Sequence, residues 1–185
     1  AATAVAAAAI GTKLAISAIE ASASMETFEA RLSVLLGSTE KAKVRLGELF
    51  EIGSTTPFEL GALVEADTIL TSFGVNAGQM RGGVMDLAGA MGGELPEAAM
   101  AVAKAYSAGA GAADILKESY ALLYMDIKKR AAEMGDSSDI NIWRAAMTEA
   151  LTAVDSKVAG GTKKLAGTFK GALSNLSDQW FKFKK

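Results

Sequence analysis

Apolar residues recur every three or four positions along almost the whole of this 185-residue chain, in runs that glycines cut to helix length. No stretch alternates apolar and polar residues over any length, and the two prolines, Pro57 and Pro96, both sit where a helical run begins. A helix interior rejects proline and a half-buried strand needs a period of two, so the pattern predicts an all-α domain of about seven or eight helices.

Alanine, the strongest helix former, dominates the start, so a long Ala-rich helix is expected from Ala1 to about Leu36, with Gly37 ending it. Ser38 or Thr39 caps a second helix carrying Val44, Leu46, Leu49, Phe50 and Ile52, and Gly53 stops it. A third runs from Pro57 to Phe73, with Thr55 or Thr56 as its cap, Glu59 suited to the positive end of its dipole, and Gly74-Val75-Asn76 as the following turn. A fourth spans about Ala77 to Met91 and stops at Gly92-Gly93, and Pro96 opens a fifth. Beyond Gly109-Ala110-Gly111, Ile115 to Met134 reads as one long helix. After a polar turn from Gly135 to Asp139, a helix through Trp143, Met147, Leu151 and Val154 leads to Gly160-Gly161-Thr162. The last element runs from about Leu165 to Phe183, with Phe169, Leu173, Leu176, Trp180 and Phe183 at helical spacing.

Half of the residues are apolar but only 6% are aromatic, so the core is to be built largely from small side chains that let helices approach closely. Gly78 and Gly82, Gly89 and Gly93, and Gly167 and Gly171 each lie four apart and predict faces of close crossing within a soluble bundle. The formal net charge of -2 and a pI of 5.3 argue against a nucleic-acid surface, which needs accumulated Lys and Arg. With neither cysteine nor histidine, disulfides and every Ser-His or Cys-His nucleophile pair are excluded. The run from Ala1 to Ala23 has no basic residue before its apolar stretch and carries Lys13 and Glu20, which disfavours a signal peptide or a membrane span. Both ends read as cuts through a longer polypeptide.

Four segments, in order, carry a family likeness. Met25-Glu26-Thr27-Phe28-Glu29 leads to Leu36-Gly37-Ser38-Thr39-Glu40-Lys41-Ala42; Thr55-Thr56-Pro57-Phe58-Glu59-Leu60 is followed by an amphipathic run that ends at Phe73-Gly74. Gly92-Gly93-Glu94-Leu95-Pro96-Glu97-Ala98 comes next, and Gly167-Thr168-Phe169-Lys170-Gly171-Ala172-Leu173-Ser174-Asn175-Leu176-Ser177-Asp178 closes the series. Together they resemble the N-terminal conserved region of tail tape-measure proteins of tailed bacteriophages and prophage-derived tail-like particles. The motif positions are Thr55, Thr56, Pro57, Phe58, Phe73, Gly74, Gly167, Gly171, Leu173, Ser174, Asn175, Leu176 and Asp178. One departure stands out: the family often has a Gly-Ile-Pro break after the position of Glu118, whereas Ser119 to Ala132 here holds neither Gly nor Pro, which favours an uninterrupted helix.

The resemblance implies a structural protein and not an enzyme. A conserved helical domain would cover residues 25 to 181, with residues 1 to 24 a helical lead-in and 182 to 185 the truncated start of a further segment. The full chain would occupy the tail-tube lumen in several copies, set tail length, help the tube protein polymerise on the tail tip or baseplate hub, and leave toward the host envelope when DNA is ejected. Tail assembly chaperones would hold it in the host cytoplasm first, and its place in the virion would be the tail tube or tip. No cofactor, metal or specific nucleic acid is implied.

Other chemistry is weaker. Glu118-Ser119 matches the Glu-Ser pair of lytic transglycosylases, but no aromatic-rich sugar groove comes after it. Asp136 to Asn141 offers oxygen ligands yet lacks the glycine and closing glutamate of a calcium loop, and reads as helix caps. Gly160-Gly161-Thr162-Lys163-Lys164 lacks the phosphate-loop spacing and reads as a flexible interhelical turn. The alternative function is a membrane-active helical module used in genome delivery, inserting through Ala1 to Ala23 or the Trp180 end.

Overall fold

The computed structural model describes residues 24–92 and 94–168, and every regular element in them is helical. In chain order these are α1 (24–36), α2 (Thr39–Thr55), α3 (Leu60–Ser72), α4 (Ala77–Met91), α5 (Leu95–Ala108), a 3-10 turn (Ala110–Ala112), α6 (Asp114–Ser119), α7 (Ala121–Met134), α8 (Ile140–Thr152) and α9 (161–168). The all-α expectation holds. The expected helix over Ala1 to Ala23 and the one beyond Thr168 lie outside the described residues.

The chain divides into two units, Ala1–Glu48 and Leu49–Lys185, and the boundary falls within α2. In the first, Gly37 adopts a left-handed φ of 65° that ends α1, and the Ser38 hydroxyl accepts from the Lys41 N–H at 3.3 Å to cap α2. Leu32, Ala42 and Leu46 are buried, while Val44, expected on the apolar face, is 65% exposed.

In the second unit α5 is the hub, packing against α3, α4, α6 and α8. Its buried residues are Leu95, Ala98, Ala99, Ala101, Val102, Ala103 and Ala105, an apolar surface wider than one stripe. Mostly methyl side chains let four neighbours reach the same cylinder. Further contacts join α4 to α8, α3 to α4 and α6 to α7, and α7 and α8 form an extensive pair. Trp143 of α8, 1% exposed, donates its indole N–H to the carbonyl of Ala105 at 2.9 Å. Its neighbour Arg144 donates to the carbonyls of Tyr106 and Ser107 at 2.9 and 3.2 Å, so two consecutive residues of α8 cap the C-terminal end of α5.

Two charge groups, each centred on a buried arginine, tie helices together. Arg81 on α4 meets Asp67 on α3 at 2.9 Å, with both side chains almost fully buried. Arg130 on α7 pairs with Asp126 one turn earlier, with Glu149 on α8 and with Asp155 beyond α8. The Arg130 bond holds the Asp155 carboxyl below the ordinary carboxylate value, and the three carboxylates push the guanidinium pKa up.

Several boundaries differ from the sequence reading. Gly53 does not stop α2: it is not among the glycines with positive φ, and the helix continues to Thr55. A Cβ at Gly53 would lie 3.3 Å from a Leu63 methyl, so the glycine serves helix approach and not termination. The expected long helix from Ile115 to Met134 is broken at Tyr120, whose φ of -134° and ψ of 47° leave the helical region. Tyr120 still donates its N–H to Leu116 and its carbonyl accepts from Tyr124, so the break is a bend that keeps Leu116, Tyr120 and Leu123 all buried. Val154, expected in the last helical turn of α8, lies beyond the cap at Ala153 and is fully exposed. Phe50 of α2, expected among the apolar residues of its helix, is exposed, as are Leu122 and Met125 of α7.

Candidate functional site

A polar contact between segments far apart in the sequence joins α4 to the start of α9. Asp86 points from α4 at Gly160 and Thr162: one carboxylate oxygen accepts the Gly160 N–H at 2.8 Å and the other the Thr162 N–H at 3.0 Å. A carboxylate at a helix N-terminus satisfies donors that have no partner within the helix and faces the positive end of its dipole. The usual capping residue is local; here it comes from 74 and 76 positions away. Glycine makes the approach possible. A Cβ on Gly161 would overlap the Asp86 carbonyl oxygen, and one on Gly89 would fall 2.6 Å from the Gly161 backbone. Gly160 takes a left-handed φ of 77° to turn the chain into α9.

The segment from Gly160 to Lys164 is therefore more than a turn between helices. Its last four residues form the first turn of α9, which starts at 161 and not near Leu165. The glycine faces read from the sequence also need correction. A Cβ at Gly82 would meet nothing within 4 Å, so the Gly78 and Gly82 face is not the crossing point. The crossing uses Gly83, where a Cβ would overlap the Leu151 backbone of α8, and Gly89 against Gly161. Gly93 and Gly171 lie outside the described residues, and Gly167 has open space around it.

The family-motif positions fall in three places. Thr55 ends α2, and Thr56, Pro57 and Phe58 form the corner after it. They do not start α3, because Pro57 lies in the bend and α3 begins at Leu60 with Glu59 in the cap position. The threonines do not cap α3 either: the Ser54 and Thr56 hydroxyls donate backward to the carbonyls of Glu51 and Ile52 at 2.7 and 2.8 Å, and Thr55 donates to Glu51 at 3.1 Å. They close the end of α2. Phe73 and Gly74 sit at the other end of α3, where the Val75 N–H donates to Leu70 and the Gly74 N–H to Thr71, a Schellman stop with Gly74 at φ 76°. Gly167 belongs to α9, and Leu173, Ser174, Asn175, Leu176 and Asp178 lie outside the described residues.

Two of these groups meet. Thr55 and Gly167, with Asp86, Thr162, Lys163 and Ala166, line a groove of about 500 Å³. A neighbouring groove of about 440 Å³ places Leu165 beside Pro57, Phe58, Ala62 and Leu95. The motif at the α2 corner and the start of the closing motif thus share one surface, which the missed residue Asp86 organises. Its only sequence signal was the Gly160-Gly161 pair, whose lack of side chains implied that something had to approach.

The remaining candidates do not converge on chemistry. Glu118 is exposed near the end of α6. Asp139 accepts from the Asn141 N–H at 2.8 Å and caps α8, and Asp136 accepts from the Ser138 N–H at 2.9 Å, which lowers the Asp136 pKa. Among the described residues no group of three metal-binding side chains occurs, and no helix is long and apolar enough to cross a membrane. No protein-family model, curated protein or solved structure matches the chain.

Proposed function

We propose that this chain is the conserved helical domain of a tail tape-measure protein, acting in tail assembly and length determination and contacting the tube protein and tail-tip or baseplate components. The observation that carries the reading is the meeting of Thr55 and Gly167 in one groove. Thr55 and the first residue of the closing motif, more than a hundred positions apart in sequence, line one groove, as they would if the resemblance marked a single functional unit. The T-T-P-F corner and the Phe73-Gly74 stop act as punctuation that sets the length and direction of α3, consistent with structural and not catalytic work. Assembly chaperones, several copies within the lumen and release at genome ejection belong to the same proposal.

The test is in-frame deletion within Gly78 to Gly111 of the full-length gene. This removes parts of α4 and α5, so tail assembly is expected to fail. Viable particles whose tails shorten by about 1.5 Å per deleted residue would show that this segment is drawn-out ruler and would overturn the assembly role.

A further inference from the structure

The outer face of α6 and α7 carries a line of exposed residues at strict intervals of three and four: Ile115, Glu118, Leu122, Met125, Lys129 and Ala132. By helical spacing they lie opposite the buried line of Leu116, Tyr120, Leu123 and Ile127. The bend at Tyr120 does not end the series, because Tyr120 donates to Leu116 and accepts from Tyr124, which keeps helical bonding on both sides of it. Leu122 is 70% exposed and Met125 63%, two large apolar side chains one turn apart on the same face. A single exposed leucine is ordinary on a protein surface. Intervals of three and four sustained along a face are the pattern of a seam that packs on another helix.

The order of the residues says which helix fits. From its N-terminal end the stripe reads apolar, acidic, apolar, then apolar, basic, apolar, so turned end for end it is its own complement. In antiparallel packing about a two-fold axis between Leu122 and Met125, Leu122 meets the second copy's Met125 and Ile115 meets the second copy's Ala132. The same register sets Glu118 against the second copy's Lys129, once on each side of the axis. Parallel pairing in register would instead set Glu118 against Glu118 and Lys129 against Lys129. Lys129 lies 3.8 Å from Glu133 of its own helix, a loose contact between two exposed side chains that leaves the ammonium able to take a second carboxylate.

We propose that this stripe is a self-association surface, on which two copies of the chain pair antiparallel through α6 and α7. The inference does not rest on the tape-measure reading.

Sedimentation of the 185-residue chain at concentrations up to about 1 mM tests it, a range that registers even a weak association. The wild type should show a monomer–dimer equilibrium. Leu122→Lys should raise the dimer dissociation constant roughly tenfold or more while the helical circular dichroism stays unchanged, because the side chain lies outside the core. Glu118→Lys and Lys129→Glu should each weaken self-association by roughly tenfold or more, since each sets like charges together on both sides of the axis. An equal mixture of those two variants should associate as the wild type does, because every pair across the axis is then of opposite charge. A wild-type chain that stays monomeric, as it would if another segment of the same chain covered this face, would overturn the proposal. So would a dimer that survives Leu122→Lys, or a mixture that associates no more tightly than either variant alone.

Discussion

At Gly82 a methyl group would enter open space, whereas at Gly83, one residue on, it would overlap the Leu151 backbone. Gly82→Ala should therefore stabilise the fold by about 0.5 to 1 kcal/mol through helix propensity alone. Gly83→Ala should destabilise it by about 1 to 3 kcal/mol through overpacking, and urea unfolding of the two variants checks the contrast. Sequence spacing pointed to Gly82, because a period of four marks a face but not which of two adjacent glycines looks inward. Charge at the α7–α8 junction gives a second residue-scale expectation. Asp155 has its folded pKa lowered, first by the Arg130 hydrogen bond, so its contribution is present above the ordinary value of 3.8 and is lost as pH falls below that through the lowered folded value. Relative to wild type, Asp155→Asn should be the less stable chain at neutral pH, with the gap narrowing on acidification through that window. Equal gaps at both ends of a pH series of unfolding curves would separate Asp155 from the pair. Asp86 was illegible for another reason: a cap from 76 residues away leaves no local trace.

Element boundaries were legible where the backbone itself does the stopping. Gly37, Gly74, Gly92 and Gly109 all adopt positive φ, where other residues are strained, and each ends a helix close to its expected position. The bend at Tyr120 could not be read in this way. Leu116, Tyr120, Leu123 and Ile127 keep helical spacing straight through it, and all four are buried, so the apolar pattern is the same for a bent helix as for a straight one. At the bend α6 packs against α5 and α7, contacts that leave no mark in the local apolar pattern. Tyr120→Ala would remove the buried ring at the bend and should cost about 3 to 5 kcal/mol in denaturant unfolding, in the range of other buried aromatic truncations. The cap that α8 places on α5 should be cheaper to lose. In Trp143→Phe the Ala105 carbonyl retains the Gly109 N–H, so the cost should be about 1 kcal/mol by the same measurement.

At the scale of the whole molecule, the proposed function turns on how the residues of this chain relate to a length. Drawn out as continuous helix, the roughly 120 residues from 49 to 168 would reach about 180 Å, whereas a packed unit of that size has a radius of gyration of about 14 Å. Under the proposed function, this part of the chain would add far less to a ruler than its residue count suggests. Circular dichroism of the chain should be dominated by helix, and a β-rich spectrum would contradict the fold. The alanine surface of α5 has a further consequence. Leucine cores keep their alignment through interlocking shapes, but on α5 only Leu95 and Val102 stand out from a buried row of methyl groups, so its surface offers its neighbours few such interlocks. Alignment must then be kept by features that occur once. The Trp143 and Arg144 bonds to the last carbonyls of α5 act as registration pins, fixing the axial position of a helix whose own surface does little to set it.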